Sequence, residues 1–146
     1  MTVRRVSASE ASALLATEGY SYIEVRSTEE IFDGLPAGAY HVPLSYVTAH
    51  GMQDNDEFVR VMRACFSPDD KLVIGCASGV RSLRAAQQLI DAGFTDVIDQ
   101  RAGWSGAKDA FGRTLEPGWS ALDLPVTDEP DPDRSYGVLS QRRNAT

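Results

Sequence analysis

The 146-residue sequence is poor in the residues that build stapled or metal-bound domains: two cysteines, Cys65 and Cys76, and two histidines, His41 and His50. Two thiols make no disulfide framework, and so few Cys and His residues give no spaced set of metal ligands. Basic residues are also scarce, 14 Lys and Arg against 21 Asp and Glu, for a formal net charge of −7. That balance offers no positive stripe for nucleic-acid phosphates and no basic patch for an anionic membrane. No apolar run approaches the roughly 20 residues that span a bilayer. The opening residues, MTVRRVSASEASALLATEG, turn polar and acidic after two arginines, which does not fit a signal peptide. With free thiols, these absences make the cytoplasm the expected location.

What is present suits an ordinary folded domain, with 42% hydrophobic and 24% charged residues and enough chain to bury a core. Ser7–Ala8–Ser9–Glu10 reads as a capping box opening a helix over Ser9–Glu18, stopped by Gly19. Tyr22–Arg26 is β-rich, Thr28–Asp33 a brief helix, and Ala39–Val42 a short strand ended by Pro43. From Asp54 the apolar residues Phe58, Val59, Met62, Cys65 and Phe66 recur at helical spacing. Lys71–Gly75 (KLVIG) is apolar enough for a central strand. A helix over Val80–Ala92 follows, with Leu83, Ala86, Leu89 and Ile90 facing inward, and then a strand over Asp96–Asp99.

Strands alternating with helices predict an α/β fold with a parallel sheet covered on both faces. Ligands bind such sheets at the C-terminal edge of the strands. Asp109–Trp119 is expected as an ordered loop over the sheet that forms one wall of the pocket, and Trp104 and Trp119 as packing residues. The domain is expected over residues 1–125, with 126–146 a polar tail that packs little or meets a partner.

IGCASGVRSLRAA, residues 74–86, concentrates the chemistry. Cys76 ends a strand and begins a loop of small residues that opens into a helix. Consecutive backbone N–H groups in such a loop form a concave anion site, and the helix dipole adds partial positive charge. Arg81 and Arg84 lie close by in sequence, so the surroundings favour thiolate over thiol. Cys76 is therefore the candidate nucleophile, with Ala77, Ser78, Gly79, Val80 and Arg81 as its cradle. A buried, inert strand-end cysteine is the plain alternative. Cys65, on the apolar stripe of its helix, reads as core filler, with a partner thiol for Cys76 as the other possibility.

Glu24–Val25–Arg26, Gly34–Leu35–Pro36–Ala37–Gly38–Ala39, Pro43–Leu44, Cys76–Ala77–Ser78–Gly79–Val80–Arg81–Ser82, Ala92–Gly93–Phe94 and Ala102–Gly103–Trp104 occur in this order. Together they resemble a single-domain rhodanese, a sulfurtransferase, over roughly residues 5–125. The resemblance implies an open five-stranded parallel sheet with helices on both faces. It also implies a cysteine that takes a sulfane sulfur from a donor such as thiosulfate and passes it to cyanide or a thiol. Cys76 would carry the persulfide, the amides of Ala77 to Arg81 would cradle its outer sulfur, and no metal or organic cofactor is implied. Two positions depart from the family pattern: Glu24 replaces an aspartate and Leu35 a histidine.

Related phosphatases carry five residues between cysteine and arginine, whereas Cys76 and Arg81 enclose four, a smaller cradle that suits sulfur better than phosphate. Phosphatase or arsenate-reductase-like activity is thus the third expectation, after a persulfide carrier that docks to a sulfur-relay protein. Among the supporting residues, Arg81 either binds substrate or pairs with Glu24. Arg26 contacts substrate or bridges to Glu29 or Glu30. Arg84 is a solvated first-turn residue or meets anions at the mouth.

Overall fold

Where the chain alternates apolar strand and amphipathic helix, the structure, a computed structural model describing residues 2–143, lays the strands side by side. They are β1 (Arg4–Val6), β2 (Ser21–Glu24), β4 (Tyr40–His41), β7 (Lys71–Gly75) and β8 (Asp96–Gln100), in the order β1-β8-β7-β2-β4 with every neighbouring pair parallel. The central strand β7 has Leu72, Val73 and Ile74 fully buried, as a strand covered on both sides requires.

Side chains alternate across the sheet. On one face Ile23, Leu72 and Ile74 meet the helices α2 (Phe58–Cys65) and α3 (Val80–Asp91) through Phe58, Met62, Ala85, Ala86 and Leu89. On the other, Tyr22, Val73 and Ile98 pack with Ala8 and Ala11 of α1 (Ala8–Thr17) and with Trp104 and Trp119. The capping box is present: Ser7 Oγ accepts from the Glu10 amide at 3.1 Å and Glu10 Oε1 from the Ser7 amide at 2.9 Å. The smaller elements are β3 (Leu35–Pro36), the hairpin β5 (Ser45–Thr48) and β6 (Gly51–Asp54), the hairpin β9 (Ala107–Lys108) and β10 (Thr114–Glu116), β11 (Val126–Thr127) and α4 (Tyr136–Leu139).

Three expectations change. The helix expected from Asp54 begins at Phe58, because Ser45–Asp54 is spent on a hairpin. Helix α3 is rotated from its expected face: Ser82, Ala85, Ala86 and Leu89 are buried, while Leu83 and Ile90 are only half-buried. A serine takes an inward position because the thiol of Cys76 lies opposite it, 3.4 Å away.

The third concerns the expected tail. Residues 126–143 pack on the domain instead of hanging from it; 144–146 lie outside the described residues. Strand β11 pairs antiparallel with β3. Leu139, 0% exposed, joins the cluster of Phe58, Met62 and Leu72. Arg60 of α2 donates to the carbonyls of Ser140 and Arg142, both at 3.1 Å, and Asn55 Nδ2 donates to the Tyr136 hydroxyl at 2.9 Å. One leucine and a few anchored carbonyls suffice to dock the segment, and they are too sparse to show a period in sequence.

Truncating a buried leucine costs the transfer energy of the lost atoms plus a cavity. Leu139→Ala is expected to lower the unfolding free energy by about 2–4 kcal/mol in urea titrations. A change below about 0.5 kcal/mol, the scale of a surface substitution, would show that the segment does not contribute to the core.

Candidate active site

Strand β7 delivers Cys76 to the C-terminal edge of the sheet. The preceding Gly75 is required, because a Cβ there would lie 1.7 Å from the Tyr22 hydroxyl oxygen. Cys76 is 1% exposed. Its sulfur accepts the N–H groups of Gly79 and Ser82, each at 3.2 Å. Gly79 precedes α3 with φ of 94°, in the left-handed region, and a Cβ on it would meet the Arg101 carbonyl oxygen at 2.1 Å. Thus the amides at the start of a 12-residue helix converge on one sulfur, where the helix dipole favours negative charge.

A second segment sets which way the loop's peptide groups point. The amides of Trp104 and Ser105 donate to the carbonyls of Cys76 and Ala77 at 2.7 and 2.8 Å. This contact needs Gly103, since a Cβ there would sit 2.5 Å from both carbonyl oxygens. Gln100, buried at the end of β8, holds the segment: its Oε1 accepts from Ala102 and Gly103 at 2.8 and 2.9 Å, and its Nε2 donates to the Gly103 carbonyl at 3.0 Å. With two loop carbonyls tied back, the amides of Ala77, Ser78, Val80 and Arg81 have no protein acceptor among the described residues.

Arg5 braces the loop from β1. Its Nε donates to Asp99 at 2.7 Å and its Nη2 to the Gly79 carbonyl at 3.1 Å. Burial pushes the Asp99 carboxyl above the ordinary range, against the pull of the neighbouring Ser82 hydroxyl and of Arg5. The expected site residues did not include Arg5, Asp99 or Gln100. The sequence signal for Asp99 and Gln100 was the DQRAG run, residues 99–103, ahead of Trp104; Arg5 had none.

The structure rearranges the expected supporting ion pairs. Arg81 pairs not with Glu24 but with Glu30, through two bonds of 2.6 and 2.8 Å. Glu24 is already taken: it is fully buried and receives Arg26 Nη2 at 3.0 Å. Burial raises the Glu24 carboxyl to about 7, with Arg26 pulling the other way. Arg26, 2% exposed, neither reaches the surface nor bridges to Glu29 or to the Glu30 carboxylate. It donates to Asp33 at 3.1 Å, to the Glu30 carbonyl at 3.2 Å and to the Gly34 carbonyl at 2.7 Å, with its guanidinium 4.9 Å from the Trp104 ring centre. It thereby pins the 3₁₀ turn Glu30–Asp33 that presents Glu30 to Arg81. Arg84 is exposed and donates to Asp54 at 3.2 Å and to Ser45 at 3.4 Å.

Over the first turn of α3 lies an open cleft of about 510 Å³, lined by Glu30, Ser45, Val47, Met52, Asp54, Val80, Arg81 and Arg84. Cys76 is not among the lining residues, but Val80 and Arg81, which follow it in the chain, are. The outer wall is the β5–β6 hairpin, not Asp109–Trp119 as expected from sequence. The latter stretch forms part of the β9–β10 hairpin, rooted by Arg101 on Glu116 at 2.9 Å, and contributes no lining residue. Trp104 and Trp119 are buried in the core, as packing residues. Cys65 is half-buried with its thiol toward the Leu139 carbonyl, 3.7 Å away.

A doubly covered parallel sheet with a cysteine set in a ring of amides at a helix start defines an α/β protein with a thiol-centred anion cradle. The family model for the rhodanese-like domain matches residues 7–110. The chain belongs to the rhodanese-like family.

Among curated relatives, the senescence-associated protein DIN1 of Raphanus sativus is 41% identical over 90 residues, covering 62% of this chain and 49% of that protein. Thiosulfate sulfurtransferase 16, chloroplastic, of Arabidopsis thaliana is 39% identical over 91 residues, covering 62% of this chain and 76% of that protein. The chain spans about half the length of DIN1 and of the Arabidopsis rhodanese-like domain-containing protein 15, covering 49% and 55% of them. The crystal structure of Rv0390 from M. tuberculosis superposes with a TM-score of 0.71 at 25% identity, covering 88% of this chain and all of that one.

The bidentate bond from Arg81 pulls the Glu30 carboxyl from 4.5 down to about 2. A depressed acid stabilises fully above its unfolded value and loses that contribution as the pH falls through its folded value. The stability advantage of the native protein over Glu30→Gln is therefore expected to be complete above about pH 4.5 and to vanish towards pH 2. Urea unfolding at stepped pH measures it. A gap that stays constant across that window would show that the pair contributes no charge interaction.

Proposed function

We propose that the protein is a sulfurtransferase working through a persulfide on Cys76, with thiosulfate among its donors and cyanide or a thiol as acceptor. The observation that carries this is the sulfur of Cys76 held by two amides in a loop where four more have no protein acceptor among the described residues. The family, and relatives named thiosulfate sulfurtransferase, support it.

In the first half-reaction the Cys76 thiolate attacks the outer sulfur of the donor. A Cys76–sulfur bond forms, the donor's sulfur–sulfur bond breaks, and its electron pair leaves on sulfite. The new persulfide is an anion, and its outer sulfur takes the place among the free amides, which are already oriented and need no rearrangement. In the second half-reaction an acceptor attacks that sulfur, giving thiocyanate from cyanide or a persulfide from a thiol, and the Cys76 thiolate returns. A thiolate nucleophile needs no general base, and no neighbouring side chain is assigned one. The cycle requires a compartment reducing enough to keep Cys76 unpaired, and both cysteines are free in the structure.

A carrier that docks to a sulfur-relay protein is the second reading. Exposed Phe32 and Val80, on segments that follow β2 and β7 at the edge where Cys76 sits, favour it. Repeated formation of thiocyanate separates the enzyme from a carrier that loads once.

Thiosulfate is expected to add one sulfur, about 32 Da, to the intact mass of the protein, as covalent catalysis requires. Cys76→Ser should abolish the gain and Cys65→Ser should retain it. A mass gain that survives in the Cys76→Ser protein would sink the assignment.

A further inference from the structure

The cleft beside the Cys76 loop holds two guanidinium groups, and each is paired with an acid of the same lining. Arg81 is bonded through both terminal nitrogens to the Glu30 carboxylate, and Arg84 is paired with Asp54. Glu30, drawn far below the ordinary carboxylate range, stays ionised at neutral pH and cancels Arg81. The lining thus sums to zero formal charge, two arginines against two acids, in a chain whose net charge is −7.

Apart from Ser45, the uncharged lining is apolar: Val47 and Met52 from the hairpin and Val80 from α3. In the antiparallel register Ser45 stands opposite Asp54 and Val47 opposite Met52. These four residues, alternating along the two strands, share the face that lines the cleft. Val47 and Met52 are 50% and 48% exposed there, and Val80 across the cleft is 77% exposed. Three open apolar side chains beside the loop that carries the nucleophile are surface that an organic substituent would cover.

We infer that the preferred sulfur donor is an organic thiosulfonate or comparable organic sulfane-sulfur compound with an apolar body, not inorganic thiosulfate, and that Val47, Met52 and Val80 determine this preference. The inference rests on the sulfurtransferase reading of Cys76. The chemistry balances: the thiolate attacks the terminal sulfur of R–SO₂–S⁻, the sulfonyl–sulfur bond breaks, and its electron pair leaves on the sulfinate R–SO₂⁻. Thiolate and thiosulfonate bring two negative charges together, one fewer than thiolate and dianionic thiosulfate. A cleft whose cations are neutralised favours the lower charge. The R group extends past Val80 toward Val47 and Met52 while the reacting sulfur reaches the amides.

An alkanethiosulfonate series from methane- to hexanethiosulfonate tests this, with cyanide as common acceptor. Leaving-group chemistry is nearly constant along it while apolar area grows. The expected result is a rise in kcat/KM of about twofold per methylene, the effect of partly burying each, until the cleft is filled. In Val47→Lys and Met52→Lys, exposed positions that leave the core untouched, the rise should flatten. Thiosulfate kcat/KM should then climb at least about threefold as a free cation enters the rim. A flat series, or lysine variants with the native donor ratio, overturns the inference while leaving the sulfurtransferase reading in place. Failure of every donor to load Cys76, read by intact mass, overturns both.

Discussion

Two backbone hydrogen bonds, from Trp104 and Ser105 to the carbonyls of Cys76 and Ala77, fix the orientation on which the site depends. With those carbonyls turned toward the segment after β8, the amides of Ala77, Ser78, Val80 and Arg81 are free of protein acceptors among the described residues, and the thiol sits beside them. The constraint spreads from there. Trp104 also stacks on Arg26, which holds Glu24 and the turn carrying Glu30, and Glu30 returns to grip Arg81 at the start of α3. The ends of β2 and β8 thus clamp the loop that leaves β7 between them. Arg5 closes the assembly from β1 by holding Asp99 and the Gly79 carbonyl together.

This arrangement divides the labour of charge. Formal cations near the thiol serve as structural ties: Arg5, Arg26, Arg81 and Arg84 are each bonded to a carboxylate. The neutral backbone amides and the helix start are left to stabilise the anion. Amides are fixed dipoles with little freedom to reorganise, so they hold one geometry around the Cys76 sulfur and suit a localised anion there. An arginine free to follow the substrate would bring stronger attraction and less definition.

Much of this was legible in the chain, and what was not has a physical reason. β7 and its following helix stood out because Leu72, Val73 and Ile74 form an unbroken apolar run and α3 has a helical period. Strand β1 was missed because Arg4 and Arg5 are exposed and only Val6 is buried, leaving no alternation to see. The β5–β6 hairpin escaped for a similar reason: every residue of β6 is exposed, and its pairing is made by backbone groups common to any sequence. The loop and its nucleophile candidate were visible as a motif. The partner of Arg81 was not, because Glu24 and Glu30 are both plausible acids in sequence. Only the buried capture of Glu24 by Arg26, and the 3₁₀ turn that brings Glu30 around, decide between them.

The hairpin that walls the cleft has a further consequence, for how such a protein diversifies. Its turn, around Ala49 and His50, is exposed, and the bonds that orient the Cys76 loop come from Trp104, Ser105 and Arg5, outside the hairpin. The wall of the cleft is therefore a stretch of chain that can lengthen, shorten or change its side chains while the cradle keeps its geometry. A gene under selection for a differently shaped cleft can rewrite ten residues, Ser45–Asp54, and leave the Cys76 loop as it was inherited.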